Sequence, residues 1–190
     1  MSTNQLTTAQ RAALAAYVAT NLSQFPHTPD GAYAVADALN QVDASNTSVW
    51  WTATPTNAIF DTITWAAYTP NDAPDGTALF TNRVLTAQTK QMNLQNMLVG
   101  RDFIDASLVT FRAGLRDAVI QLPTGTGGAM VAPGGASGVT TLTACKRPTL
   151  ATKCEKLFSA GASTTGTVTA DILTFEGTLS PTAVQQAMGW

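Results

Sequence analysis

The chain has 190 residues, a net charge of −2 and 45% hydrophobic residues, so it is long enough to bury a core without metal or disulfide support. Only 12% of its residues are charged, about half the ~25% usual for a globular protein; Thr, Ala, Asn, Gln and Ser take their place. The low charge describes a surface poor at holding monomers apart, and the net charge of −2 argues against a dedicated nucleic-acid binder, whose footprint should be basic. The charge is also uneven. Residues 1–82 hold one base and six acids, residues 83–156 nine bases and four acids, and the remainder two acids. Such polarity would let one subunit's acidic side meet the next one's basic side.

In chain order, Thr7 or Thr8 is placed to cap a helix running to about Leu22, which Phe25-Pro26 breaks. Asp30 is read as the cap of a second helix to about Val42, buried through Val35 and Leu39. Val49-Trp50-Trp51 reads as extended. Thr54-Pro55 reads as the start of a helix that reaches Tyr68 through Ile59 and Ile63. The turn-rich TPNDAPDG follows. The longest helix is expected over 79–99, with Phe80, Val84, Ala87, Gln91, Leu94 and Leu98 on one stripe and amide or hydroxyl side chains elsewhere; Gly100 stops it. Another helix is expected over 105–122, with Leu108, Phe111, Leu115, Val119 and Leu122 inward and Asp102 and Asp105 as capping residues, before Pro123 ends it. Residues 124–138 (TGTGGAMVAPGGASG) read as a flexible loop. Beyond it, the Thr- and β-branched-rich stretches 139–144 and 167–175 read as strands, 149–158 as a short helix, and Ser180-Pro181 as the start of a last helix.

The fold class expected is α+β, mainly α: a helical bundle over 1–123, a glycine-rich loop over 124–138, and a small mixed appendage over 139–190 ending in a docking segment. No stretch approaches the ~20 apolar residues that span a bilayer, and no membrane role is expected.

No constellation for catalysis is found, and the chain is not expected to be an enzyme. The single histidine, His27, stands between two prolines with no nucleophile or orienting group nearby in sequence. The glycine-rich run lacks the lysine of a phosphate loop and follows a helix rather than a strand. NDAPDG lacks the closing glutamate of a calcium loop. Cys145 and Cys154, spaced by eight residues with no histidine beside them, read as reduced thiols rather than zinc ligands. No cofactor and no metal are expected.

What remains are contact residues. Trp50 and Trp51 are adjacent, so in an extended segment only one can face a given core, and the other is a candidate interface residue. Gln88, Gln91 and Gln95 line the long helix, and Val184, Met188 and Trp190 its short C-terminal counterpart; these too are candidate inter-subunit contacts. Arg112, Arg116, Lys146 and Arg147 are candidates for transient phosphate contact, the two arginines one helical turn apart.

Phe80–Arg101 (FTNRVLTAQTKQMNLQNMLVGR), Phe111–Pro123 (FRAGLRDAVIQLP), the glycine-rich run and Cys145–Phe158 (CKRPTLATKCEKLF) resemble, in that order, the head-to-tail adaptor (neck or connector) proteins of tailed bacteriophages; Phe175-Glu176-Gly177 before a final helix fits the same pattern. The resemblance covers about two thirds of the chain and is looser in its first 50 residues. It implies a helical bundle assembled into a twelve-fold ring beneath the portal protein. Tail or nozzle proteins would lie below, and genomic DNA would pass transiently through the channel. Such a subunit is made in the host cytoplasm and resides in the virion neck. Three contact elements are expected on this reading: the 79–99 helix packing subunit against subunit, 180–190 reaching the portal or a neighbour, and the 124–138 loop ordering on assembly. A tail-completion or other neck protein, and a DNA-binding packaging or regulatory module, stay open as alternatives.

Overall fold

A computed structural model of the chain describes residues 5–190. It is mainly helical, with eight α-helices and two small two-stranded sheets among the described residues. The chain folds as two compact units that interleave along the sequence. The first takes the chain up to Val49, Pro148–Ala162 and Asp171–Trp190; the second takes Trp50–Arg147 and Ser163–Ala170.

In the first unit, Thr7 caps α1 (Thr8–Asn21) through a capping box: its hydroxyl accepts from the Gln10 amide, and the Gln10 side chain accepts from the Thr7 amide. α2 (Pro29–Asn40) starts two residues earlier than expected. Thr28, not Asp30, is its cap, because Pro29 takes the first helical position and Asp30 falls inside the first turn. The bend before it is tight enough that a Cβ on Gly31 would lie 1.8 Å from the Pro26 carbonyl oxygen, so only glycine fits there. α7 (Lys153–Leu157) has a second capping box, Thr152 with Glu155. α8 (Pro181–Met188) is capped by Ser180 and ends at Gly189 in the left-handed region. Leu14, Val18, Val35, Leu39, Cys154, Phe158, Phe175 and Val184 share the core of this unit. The Asn40 side-chain amide holds Leu179 from both sides, accepting from its N–H at 2.8 Å and donating to its carbonyl at 3.0 Å.

In the second unit, Thr54–Pro55 is a two-residue strand, β1, paired antiparallel with β2 (Phe103–Ile104). The expected 54–68 helix is therefore broken. It survives as α3 (Thr56–Phe60) and a 3₁₀ turn over Trp65–Tyr68. Between them the Thr62 hydroxyl donates back to the Ile59 carbonyl, and the Thr64 amide donates to Pro133, so the helical ladder is given up for other partners. α4 (Ala78–Leu98) is the longest element; Thr77 caps it and Gly100, with positive φ, follows it. Its inner stripe is as read from the sequence: Ala87, Leu94 and Leu98 are buried and Phe80, Val84 and Gln91 half-buried.

α5 (Val109–Ala118) is shorter than its sequence reading. Leu108 becomes its uncapped N-cap residue and points outward, 53% exposed. Asp105 does not cap the helix; its carboxylate accepts from the Ser107 amide and hydroxyl in a local turn that comes before it. Residues 139–144 form a helix, α6 (Val139–Ala144), and not a strand. Gly138 in the left-handed region starts it, and Gly138, Thr141, Leu142 and Cys145 are buried at helical rather than alternating spacing.

The 124–138 run is irregular but already tied down in the single chain. Leu122 and Val131 exchange backbone hydrogen bonds, Thr124 donates to the Ala67 carbonyl, and the Gly134 amide donates to Val119. The Asp72 carboxylate gathers both the Gly127 amide at 2.9 Å and the Arg83 guanidinium at 2.8 Å; that guanidinium holds Asp72 below the usual carboxylate range. A Cβ on Gly134 would meet Val119 and Thr141 side-chain atoms at 2.5 Å, so this glycine serves a close approach and not mobility.

The remaining sheet is a hairpin of β3 (Ser159–Thr165) and β4 (Val168–Leu173), joined by two residues. Ser159–Ala162 and Asp171–Leu173 fold with the first unit, and the tip, Ser163–Ala170, with the second.

Burial pushes Cys145, Cys154 and Tyr68 each up to about 12, from ordinary values of 9.0 for the thiols and 10.0 for the phenol. A raised folded-state value means that the neutral form is favoured in the fold. The contribution is thus complete below about pH 9 and is lost as pH climbs towards about 12. Thermal melts are expected to show a midpoint steady from neutrality to about pH 9 and a progressive fall above it, with both thiols slow to react with a thiol reagent until the chain unfolds.

Candidate interaction surfaces

The twelve residues singled out in the sequence separate cleanly by burial. Trp50, Arg112 and Val184 are fully buried, so none of them is a free contact in this fold. Trp51, Gln91, Arg116, Lys146, Arg147, Met188 and Trp190 are half-buried, and Gln88 and Gln95 are exposed.

Arg112 carries the largest correction. It is 0% exposed and cannot reach a phosphate. The Nη1 group donates to the carbonyls of Ala106 and Ser107, both at 2.7 Å, Nη2 donates to the Ser163 hydroxyl at 2.7 Å, and Nε donates to the Thr165 hydroxyl at 3.0 Å. Its guanidinium carbon lies 4.2 Å from the centre of the Trp50 ring, whose Nε1 donates to the Ser163 carbonyl at 2.9 Å. Every hydrogen-bond partner of this cation is a neutral oxygen. Burial lowers the guanidinium's pKa, while the negative charge of Asp105 acts the other way. The arrangement substitutes dipoles and an aromatic face for an ion pair. Arg116, one turn on, is turned instead to the Ser137 carbonyl at 3.2 Å.

The C-terminal segment is also spent within its own unit. α8 packs on α1 and α2, Val184 enters their core, and Met188 and Trp190 lie against it. The Trp190 ring stacks on His27 with centroids 4.9 Å apart. The docking segment thus docks on its own chain, and the only histidine serves as its platform.

Large apolar side chains stay exposed at several places, among them Tyr33, Phe103, Leu108 and Met130, and α4 carries three more. This helix of 21 residues packs against α5 and the Trp65–Tyr68 turn. Its two charged side chains are both half-buried and engaged, Arg83 with Asp72 at 2.8 Å and Lys90 with Asp117 at 3.3 Å. The exposed positions of α4 carry no charge at all. They do carry large apolar side chains: Leu79 is 72% exposed, Leu85 54% and Met92 59%, and Val99, just past the last turn, 65%. Sequence reasoning names the glutamines here but misses Leu85, Met92 and Val99, whose spacing of seven is the signal that could have found them.

Beside it, α4 and α5 enclose an open groove of about 440 Å³ floored by Met97, Phe111 and Gly114, with Arg101 and Asp117 at its edges. Among the described residues no group of three or more His, Cys, Asp and Glu side chains is placed to hold a metal, and no helix is long and apolar enough to cross a membrane. Compared with protein-family models, curated proteins and solved structures, the chain matches none.

Replacing Arg112 by Met keeps the bulk but leaves two carbonyls and two hydroxyls without their donor. Denaturant unfolding is expected to show a loss of about 3 kcal/mol, and Arg112→Lys is expected to recover only part of it, since an ammonium cannot reproduce the fork. A loss under about 1 kcal/mol for Arg112→Met would mean that the network contributes little.

Proposed function

We propose that this chain is a structural subunit that acts by assembling with other chains rather than by chemistry, and that it is a head-to-tail adaptor of a tailed bacteriophage, ringed beneath the portal. The observation that carries the first part is α4: a long helix whose exposed positions hold Leu79, Leu85 and Met92 and no charge. A solvated helix ordinarily carries charge at its outer positions, and exposed large apolar side chains in their place are what a neighbouring chain would cover. The low charge of the whole chain supports the same reading. The second part rests on the sequence resemblance, which includes this helix.

In this reading, the side chains that touch a neighbour come from α4, including Gln88 and Gln95. Of the basic residues proposed to face DNA in a channel, Arg116, Lys146 and Arg147 remain. A module built to bind nucleic acid has less support, because Arg112 is withdrawn into the interior.

The test is the native mass of the purified protein, alone and mixed with the portal protein of its own phage. The expected outcome is a complex in which several copies, in fixed ratio, join one portal. A chain that leaves the portal's mass unchanged would overturn the adaptor assignment.

A further inference from the structure

A trough runs along the flank of α4 beside α5. Two adjoining cavities form it, of about 440 Å³ and 430 Å³, and Asn93 and Asp117 line both. Its α4 wall carries Asn82, Thr86, Thr89, Asn93 and Asn96, spaced 4, 3, 4 and 3 residues apart, so they stand in one row along the helix. From Thr86 onward each directly follows one of Leu85, Gln88, Met92 and Gln95, so this row lies roughly 100° round the helix from the side given above to a neighbouring subunit. Leu85 alone borders both. All five residues of the row are exposed, and the side-chain amides of Asn82, Asn93 and Asn96 have no hydrogen-bond partner among the described residues. Towards the C-terminal end of α4 the floor turns apolar, with Met97 and Phe111. Gly114 keeps it open: a Cβ there would lie 3.4 Å from the Met97 methyl carbon and cover it. Arg101 stands at this end, exposed and without an acidic partner among the described residues, whereas Asp117 is paired with Lys90 at 3.3 Å.

We propose that this trough binds an extended peptide segment of a partner protein, one that carries a large apolar side chain and a carboxylate close to it. Three observations select that occupant. The first is the row of amides. An asparagine side chain offers a carbonyl and an NH₂ group, which answer the N–H and C=O of a peptide bond. An extended segment brings those backbone groups unpaired, whereas a helix has spent its own internally and would leave the row unanswered. The second is length. The rise from Asn82 to Asn96 is about 21 Å, which about six extended residues match. The third is charge complementarity. Arg101 is the unpaired cation at the apolar end and takes a carboxylate there, while Asp117, shared by the two cavities, repels a carboxylate and accepts from an N–H. The apolar side chain then enters between Met97 and Phe111, over Gly114. Nucleic acid fits poorly, because one free cation with an acid nearby cannot answer a run of phosphates.

The test is a library of random short peptides selected on the full chain. Enriched sequences are expected to place Asp or Glu within a few residues of Leu, Ile, Met or Phe. A synthetic peptide of the enriched sequence is expected to bind at least about tenfold more weakly to Arg101→Glu, which loses the cation, and to Gly114→Leu, which fills the floor. Methylating its backbone nitrogens leaves every side chain in place and is expected to cost at least about as much, because the asparagine row then loses its donors. Met92→Glu, on the outer row, is expected to bind it as the wild type does. Arg101, Gly114 and Met92 are all exposed, so these variants keep the fold, and matching circular dichroism checks that. No enrichment, enriched sequences without an acid, binding equal in wild type, Arg101→Glu and Gly114→Leu, or binding indifferent to methylation would overturn the proposal. None of these readings involves the portal, so the trough and the adaptor assignment stand or fall separately.

Discussion

The second unit is organised around one buried cation. Arg112 is the only fully buried charged side chain among the described residues, and it is stabilised without a carboxylate partner. Burying a guanidinium costs several kcal/mol unless its donors are answered. The answer comes from four places in the chain: the carbonyls of Ala106 and Ser107 before α5, the hydroxyls of Ser163 and Thr165 at the hairpin tip, the face of Trp50, and α5 itself, which delivers the side chain. Each is held in place by the need to satisfy the same group. Trp50 in turn is fixed by its indole hydrogen bond to Ser163. A hydrophobic core alone tolerates repacking, whereas a forked cation specifies where its acceptors must be.

Burial in each unit decides which of the residues picked out in the sequence can meet another chain. The residues that look most like contacts in the sequence, Trp50, Val184 and Arg112, are consumed by the interior, and α8 is committed to α1 and α2. α5 and the Trp65–Tyr68 turn cover one side of α4 and leave the other exposed. The outer positions of α4 mix uncharged amide and hydroxyl side chains with Leu79, Leu85 and Met92. The proposed assembly role rests on this mixture.

Elements with strong local signals are legible in the sequence. α4, expected over 79–99, runs Ala78–Leu98, because its stripe repeats over six turns between a threonine cap and a glycine stop. The last helix is legible from Ser180-Pro181 for similar reasons. Where local preference and tertiary demand diverge, the expectation fails. Residues 139–144 are rich in Thr and Val and so look like a strand, yet the left-handed Gly138 and one-sided burial make them helical. β3, made of Ser, Ala, Gly and Thr, has too little side chain to announce itself as a strand and is held there by β4. The role of Arg112 depends on hydroxyls more than fifty residues away, which no local pattern can show. The exposed apolar row of α4, Leu85, Met92 and Val99, is visible in principle. The glutamines between its members hide it, because a search for apolar residues stops at glutamine.

The proposed assembly through the exposed side of α4 is tested most directly by sedimentation of the wild-type protein beside a Leu85→Glu/Met92→Glu variant, since both positions are exposed and neither substitution disturbs the core. Self-association in the wild type and a monomer in the variant, with matching circular dichroism, is the predicted result. Equal association of the two proteins would contradict it and place the assembly face elsewhere.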